Sequence, residues 1–153
     1  MDCIVVNTHG DLNPRNILVT PPTLYFIDWS EEMYTEPFHD LGYFSILMDY
    51  STCEDNLLLK NYLLRDPTVN EKKRFTLSKK MNFSRLALGG LYIGNKLYIP
   101  NQDANHYPSE INNWSFYARA FTNNNESLSA QFFWDLAKVA IQSADAIDIN
   151  TID

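Results

Sequence analysis

The hydrophobic pattern of this chain changes character after its first thirty residues. Cys3 to Val6 is a short β-branched run, and Ile17 to Thr20 and Leu24 to Asp28 are two more. Runs of this length and composition predict strands, and the last two, joined by Pro21-Pro22-Thr23, predict a hairpin. Proline has no N–H to give to a ladder, so it suits the turn and leaves the flanking strands intact. Glu31 to Pro37 is polar and irregular. Apolar residues then recur at 38, 41, 44 and 47 or 48, the spacing of a helix beginning near Pro37. Ser51 with Glu54, and Thr68 with Glu71, have capping-box spacing. They predict one helix through Asn56 to Leu64 and a longer one reaching about Leu97. Gly89-Gly90 and Gly94 interrupt the longer one at roughly 1 kcal/mol per glycine relative to alanine, which predicts a kink or a close helix crossing. Asn101 to Asn125 reads as a mixed loop with a short helix around Trp114 to Ala120. Ser127 to Ala146 places Leu128, Phe132, Leu136, Val139 and Ala140 on one face of a last amphipathic helix. The fold class expected is α+β and α-rich, a small β-hairpin packed on several helices.

Composition narrows the class. With 153 residues, 45% of them hydrophobic and 14% aromatic, the chain can bury one core, so one domain or lobe is expected. A net charge of −7 argues against nucleic acid, whose binders cluster Lys and Arg to displace counterions. The one basic run, Lys72-Lys73-Arg74 with Lys79-Lys80, lies at helical spacing and reads as a solvated face. Cys3 and Cys53 form neither a C-x-x-C pair nor a disulfide framework, which predicts free thiols and a cytoplasmic setting. No apolar stretch has the roughly 20 residues needed to span a bilayer, and Ile4-Val5-Val6 lacks the length and charged flank of a signal peptide, so no membrane partner is expected.

The chemistry concentrates in His9-Gly10-Asp11-Leu12-Asn13-Pro14-Arg15-Asn16-Ile17-Leu18, followed by Ile27-Asp28-Trp29. The spacing H-x-D-x-x-x-x-N followed by a strand-borne Asp is that of a phosphoryl-transfer loop. A phosphoryl group in flight spreads negative charge, so its transfer needs a cation held by oxygen ligands and an acceptor hydroxyl oriented by a carboxylate. Asp11 is the candidate carboxylate, and Asn16 and Asp28 offer the hard oxygen donors that suit Mg2+. Asp and Asn also form turns around proline with no ligand present. Their joint occurrence at this spacing, between apolar strands, favours the site.

The same residues resemble the aminoglycoside phosphotransferase and choline kinase family, whose usual form is H-G-D-L-x-x-x-N-[IV]-L and then I-D-[WF]. The resemblance is specific over His9 to about Gly42 and architectural beyond it. It implies the C-terminal lobe of a protein-kinase-like fold over 1–153, with a catalytic loop at 9–16, a metal-binding segment at 27–30 and a helical subdomain at 37–150. ATP is then the phosphoryl donor, Mg2+ the metal, and a small amino alcohol or aminoglycoside-like molecule the acceptor. By resemblance Asp11 is catalytic, Asn16 and Asp28 are metal ligands, and His9 and Asp40 support the catalytic loop. Asn13 and Arg15 are the candidates for cofactor contact. Arg15 stands where these enzymes often have Gly, and either touches phosphate or points to solvent. His39 reads as a surface or packing residue and His106 as a loop histidine. In the family, C-terminal helices and loops form the acceptor pocket, which makes Asp103, Glu110, Trp114, Phe116 and Tyr117 the local candidates, although aromatics so spaced commonly pack a core.

The family also has an upstream lobe with a phosphate-pairing Lys and an adenine-gripping linker, and no G-x-G-x-x-G or Walker A motif stands in these 153 residues. The expectation is therefore an incomplete phosphotransferase lobe, completed by a chain that supplies the N-lobe or assembled as a homo-oligomer. The alternatives are a non-catalytic interaction or regulatory pseudoenzyme and a truncated gene product. The abrupt start before the catalytic loop suits the last. The joint retention of Asp11, Asn16 and Asp28 speaks against long drift.

Overall fold

A computed structural model describes residues 4–98, 114–122 and 129–152. Four short strands precede five helices: β1 Val6–Thr8, β2 Ile17–Thr20, β3 Thr23–Phe26, β4 Met33–Thr35, then α1 His39–Leu47, α2 Thr52–Leu63, α3 Val69–Leu97, α4 Trp114–Thr122 and α5 Ala130–Ala146. Single 3-10 turns lie at Pro14–Asn16, Trp29–Glu31 and Ile149–Thr151. The architecture is the α-rich α+β one expected.

The hairpin forms as the apolar runs predict, with β2 antiparallel to β3 and Thr20 opposite Thr23, so that only Pro21 and Pro22 make the turn. Two local expectations are corrected. The first strand among the described residues is Val6–Thr8, which leaves Ile4 and Val5 outside it, and it pairs with β4, which lies in the stretch that reads as irregular. A three-residue strand is too short to carry a period of its own, and the partner across the ladder is what defines it. Strand β3 also ends at Phe26, because Asp28 adopts a left-handed conformation (φ 61°, ψ 67°) that a ladder cannot accommodate.

Both capping boxes are present. Ser51 and Glu54 open α2, and Thr68 and Glu71 open α3, in each case with the hydroxyl accepting the N3 amide and the glutamate returning to the cap N–H. Helix α3 runs 29 residues without a break, and of the two roles open to its glycines it uses the crossing. A Cβ on Gly90 would stand 2.7 Å from the Phe133 carbonyl oxygen of α5, and one on Gly94 would stand 2.5 Å from the Trp134 ring, whereas one on Gly89 would meet nothing. The α3 and α5 backbones thus approach too closely for side chains at two positions.

The main core joins Tyr43, Ile46 and Leu47 of α1, Phe83 and Ala87 of α3, Trp114, Tyr117 and Ala118 of α4, and the Phe133, Leu136 and Ala140 face of α5. A smaller cluster of Phe38, Leu59 and Phe75 holds α2 against α3. Helix α1 is enclosed on more than the one face its period suggests: Gly42, Tyr43, Ser45, Ile46 and Leu47 are buried while Leu41 and Phe44 are only half so. The basic run on α3 is not a uniformly solvated face either. Arg74 pairs with Glu36 at 2.7 Å and Lys79 with Asp55 at 2.5 Å, each linking α3 to an earlier element. Leu128 lies outside the described residues.

Candidate active site

The segment between β1 and β2 is held almost entirely by hydrogen bonds to its backbone. Thr8 donates its hydroxyl to the Met33 carbonyl at 2.9 Å, fixing the loop entry to β4. The Asp40 carboxylate, in the first turn of α1, accepts the His9 N–H at 2.6 Å and the Gly10 N–H at 3.0 Å. Buried His9 accepts the Asp11 N–H on Nδ1 at 3.3 Å, which leaves Nε2 to donate to the Ile27 carbonyl at 2.8 Å, and its ring lies 4.7 Å from that of Trp29. His9 therefore ties the loop to the segment carrying Asp28 through its hydrogen bonds and its contact with Trp29. Gly10 is obligatory here: its φ is +80°, and a Cβ would fall 1.9 Å from the Glu31 carbonyl oxygen.

Asp11 stands at the centre. Its Oδ2 accepts Asn13 Nδ2 at 2.9 Å and Asn16 Nδ2 at 3.2 Å, and its backbone carbonyl accepts Asn16 Nδ2 at 2.9 Å. Asn13 turns its Oδ1 to the Arg15 N–H at 2.9 Å, capping the 3-10 turn Pro14–Asn16. Buried Asn16 spends its amide nitrogen on Asp11, so its Oδ1 is the side-chain acceptor that remains, and its carbonyl takes the Ile27 N–H at 2.9 Å. Arg15 is exposed. Asp28 is exposed too, with Oδ1 accepting the Ser30 hydroxyl at 2.8 Å. Its left-handed backbone costs about 1–2 kcal/mol for a residue with a Cβ, and such conformations gather at ligand-holding sites. The structure thus joins Asp11, Asn13 and Asn16 directly, and reaches Asp28 through its neighbour Ile27.

Two residues of this cluster are invisible to motif reading. Tyr43, one helical turn beyond Asp40, lies near Asp11, and its phenol is pushed far above the usual range, first by burial and then by the Asp11 charge. Arg85 of α3 reaches 75 residues back to donate to the Gly10 carbonyl, lies 5.8 Å from the centre of the Tyr43 ring, and approaches Glu31 at 3.8 Å. The i,i+3 spacing of Asp40 and Tyr43 is the one local signal available, and Arg85 has none. Half-buried His39 lies beside Arg85 at 3.4 Å, and burial lowers its pKa, with Asp40 opposing and Arg85 assisting.

The donor chemistry fits Mg2+ as a half-site. Among the described residues no three His, Cys, Asp or Glu side chains gather to hold an ion. An amide oxygen and a carboxylate still suit magnesium, which keeps water and takes further ligands from phosphates rather than from a protein cage. The acceptor candidates divide. Trp114 and Tyr117 are core residues, with Trp114 donating Nε1 to the Ile46 carbonyl at 2.6 Å, while Phe116 is exposed. Asp103, His106 and Glu110 lie outside the described residues. A cleft of about 640 Å3 opens at the other end of α1, between Asp49, Asp55, Phe75, Lys79 and Trp114, and includes none of the loop residues.

The fold thus slings a polar loop between β1 and β2 and sets a left-handed Asp after the hairpin. Residues 4–68, which span the loop and metal-segment candidates from His9 to Asp40, match the phosphotransferase enzyme family (APH). The chain is also similar to a choline/ethanolamine kinase family protein from Mesorhizobium loti, at a TM-score of 0.60 and 18% identity over 93% of this chain and 45% of that one. No curated protein sequence matches the chain. The resemblance to the aminoglycoside phosphotransferase and choline kinase family is thereby shown, and the lobe assignment agrees with the fold. The chain spans less than half the length of its structural neighbour.

Proposed function

We propose that this chain is the catalytic lobe of an enzyme that transfers the γ-phosphoryl group of ATP to a hydroxyl of a small molecule, with an amino alcohol or an aminoglycoside-like compound as acceptor. The observation that carries the reading is the setting of Asp11. An ionised carboxylate has about four acceptor sites. Asn13 and Asn16 supply neutral donors to it, which leaves room for a substrate hydroxyl without a cation to quench the charge. Asp11 would orient that hydroxyl and accept its proton as the new phosphorus–oxygen bond forms. Asn16 and Asp28 would hold Mg2+, which when bound neutralises charge on the phosphates. Asn13 and Arg15 flank the space a nucleotide would enter, and His9 and Asp40 keep the loop in shape.

A lobe of this kind works against a second one. Val19, Leu24, Tyr25 and Tyr34 are each more than half exposed on the strands beside the loop, an apolar surface that suits cover by a further lobe, by another chain or by a second copy. The same surface favours the runner-up reading, an interaction module that no longer turns over. Among the described residues no helix is long and apolar enough to cross a membrane. With its two non-framework cysteines, the setting proposed is the cytoplasm.

The test is calorimetric titration of the purified chain with ATP, with and without Mg2+, followed by ADP release across a panel of amino alcohols and aminoglycosides. Magnesium-dependent nucleotide binding that is lost in Asp28→Ala supports the reading, and acceptor-dependent ADP release that is lost in Asp11→Asn completes it. Binding without turnover favours the interaction module. Absence of magnesium-dependent binding would overturn the metal assignment and the phosphotransferase function with it.

A further inference from the structure

Gly10 has no room for a side chain, since a Cβ would fall 1.9 Å from the Glu31 carbonyl oxygen. That requirement leaves a soft joint directly before Asp11, because a glycine's own sterics do not hold its torsions in one basin. The peptide plane between Gly10 and Asp11 is therefore fixed by what bonds to its two ends. Its N–H, that of Asp11, reaches His9 Nδ1 at 3.3 Å, a long bond within the same loop. Its carbonyl, that of Gly10, accepts from the guanidinium of Arg85, 75 residues away on the 29-residue helix α3. The Gly10 N–H goes to Asp40 at 3.0 Å, so α1 holds this residue by its amide and α3 by its carbonyl.

The guanidinium is itself placed. Its centre lies 5.8 Å from the Tyr43 ring, Nη1 lies 3.4 Å from His39 Nε2, and Nη2 faces the Glu31 carboxylate at 3.8 Å. A planar fork of donors serves Gly10 and Glu31 from one position, whereas a lysine ammonium, a single point charge, would serve one of them. Among the described residues Arg85 pairs with neither Asp11 nor Asp28, so it acts on the site through the Gly10 carbonyl.

We propose that Arg85 is a positioning residue whose guanidinium locks the peptide plane between Gly10 and Asp11. The amides of Asn13 and Asn16 hold the Asp11 Oδ2 from within the loop, so they move with it. Arg85 instead references the backbone of Asp11 to α3, which is anchored in the main core by Phe83 and Ala87. Any turn of the plane not cancelled at Asp11 itself swings the carboxylate. For a residue that orients a hydroxyl, misplacement by about 1 Å can cost on the order of a hundredfold in rate. The inference deepens the proposed function and rests on it for this catalytic consequence, but the lock on the plane stands apart from turnover.

The experiment has two arms on the full chain. In the first, residual dipolar couplings of the Asp11 N–H, which report the orientation of that plane, are measured by NMR in wild type, Arg85→Met and Arg74→Met. Arg74 is the other arginine of α3 and pairs with Glu36, away from the loop. Arg85→Met is expected to average the Asp11 coupling while those of α1 and α3 stay as in wild type, and Arg74→Met to leave it unchanged. An unchanged Asp11 coupling in Arg85→Met, or equal averaging in Arg74→Met, overturns the proposal. If Arg85→Met does not fold, wild type decides: slowed rotation of the Arg85 guanidinium about its Nε–Cζ bond is expected, and free rotation overturns the lock. In the second arm, where wild type turns over, Arg85→Met is expected to lower kcat by about ten- to a hundredfold with the KM for ATP nearly unchanged. A kcat within twofold of wild type, or a loss carried by KM, would refute the catalytic consequence. If wild type itself shows no transfer, the phosphotransferase reading is what fails, and the couplings still decide the lock.

Discussion

Asp40 and His9 lie 31 positions apart, and the Asp40 Oδ2 accepts the His9 backbone N–H at 2.6 Å, while its other oxygen accepts the next N–H, that of Gly10. One carboxylate thereby satisfies two consecutive amides and pins the start of the candidate loop to the first turn of α1. Asparagine can accept only one of these bonds and would turn its own N–H2 towards the second amide. Asp40→Asn is expected to lose about 1.5–3 kcal/mol, the range for hydrogen bonds to a charged group, measured by urea unfolding. A loss within experimental error of zero would show that the loop finds its shape without α1.

Gly10→Ala should be more damaging than its small volume suggests. The residue sits at φ +80° and the added methyl would overlap the Glu31 carbonyl, a backbone atom that cannot swing aside. A cost of roughly 2–4 kcal/mol is expected from strain and clash together. Amide hydrogen exchange should show lost protection at Gly10 and Asp11 before any change in α3 or α5.

The glycines of α3 make a controlled comparison. Gly89→Ala adds a methyl in open space on a helix and is expected to stabilise by about 0.5–1 kcal/mol. Gly90→Ala drives a methyl to 2.7 Å from the Phe133 carbonyl and is expected to destabilise by about 1–3 kcal/mol. Thermal melts of the two variants should move in opposite directions, and a shared direction would contradict the α3–α5 crossing.

Glu71 supplies a pH dependence. The Arg65 side chain bonds it at 2.6 and 2.9 Å, the Thr68 N–H and hydroxyl add 2.8 Å bonds, and its pKa falls from 4.5 to about 2. A depressed carboxyl stabilises the fold above its unfolded pKa and ceases to do so as pH falls through the folded value. Wild type should therefore exceed Glu71→Gln in Tm at neutral pH, with the gap closing between about pH 4.5 and pH 2. A gap that persists at pH 2 would mean that the glutamate contributes through its shape rather than its charge.

Nucleotide and metal should act jointly. Under the proposed function Asn16 and Asp28 would offer only part of a magnesium shell, so Mg2+ alone is expected to shift Tm little, and Mg2+ with ATP to raise it by a few degrees or about 1–3 kcal/mol at saturating ligand. The rise should vanish in Asp28→Ala and shrink in Asn16→Ala. An undiminished rise in Asp28→Ala would place the ion elsewhere.

What the sequence determined by itself is what the chain decides over short distances. The capping boxes at Ser51 and Thr68 close within three residues, and the β2–β3 ladder follows from two apolar runs and a proline turn. The cluster of Asp11, Asn13 and Asn16 also closes on itself, across a separation of five positions. Such features depend on local donors, acceptors and period, which can be read in order along the chain. The tertiary structure alone decided the β1–β4 pairing of Val6 with Thr35, the use of Gly90 and Gly94 as a helix crossing, and the conversion of Arg74 and Lys79 into partners of Glu36 and Asp55. It alone brought Arg85 to the Gly10 carbonyl and to the face of the Tyr43 ring. Arg85 carries no local mark of that role, because a helix face acquires its neighbours only when the core closes, and burial of the α1, α3 and α5 faces is what sets which polar side chains are left within reach of the loop.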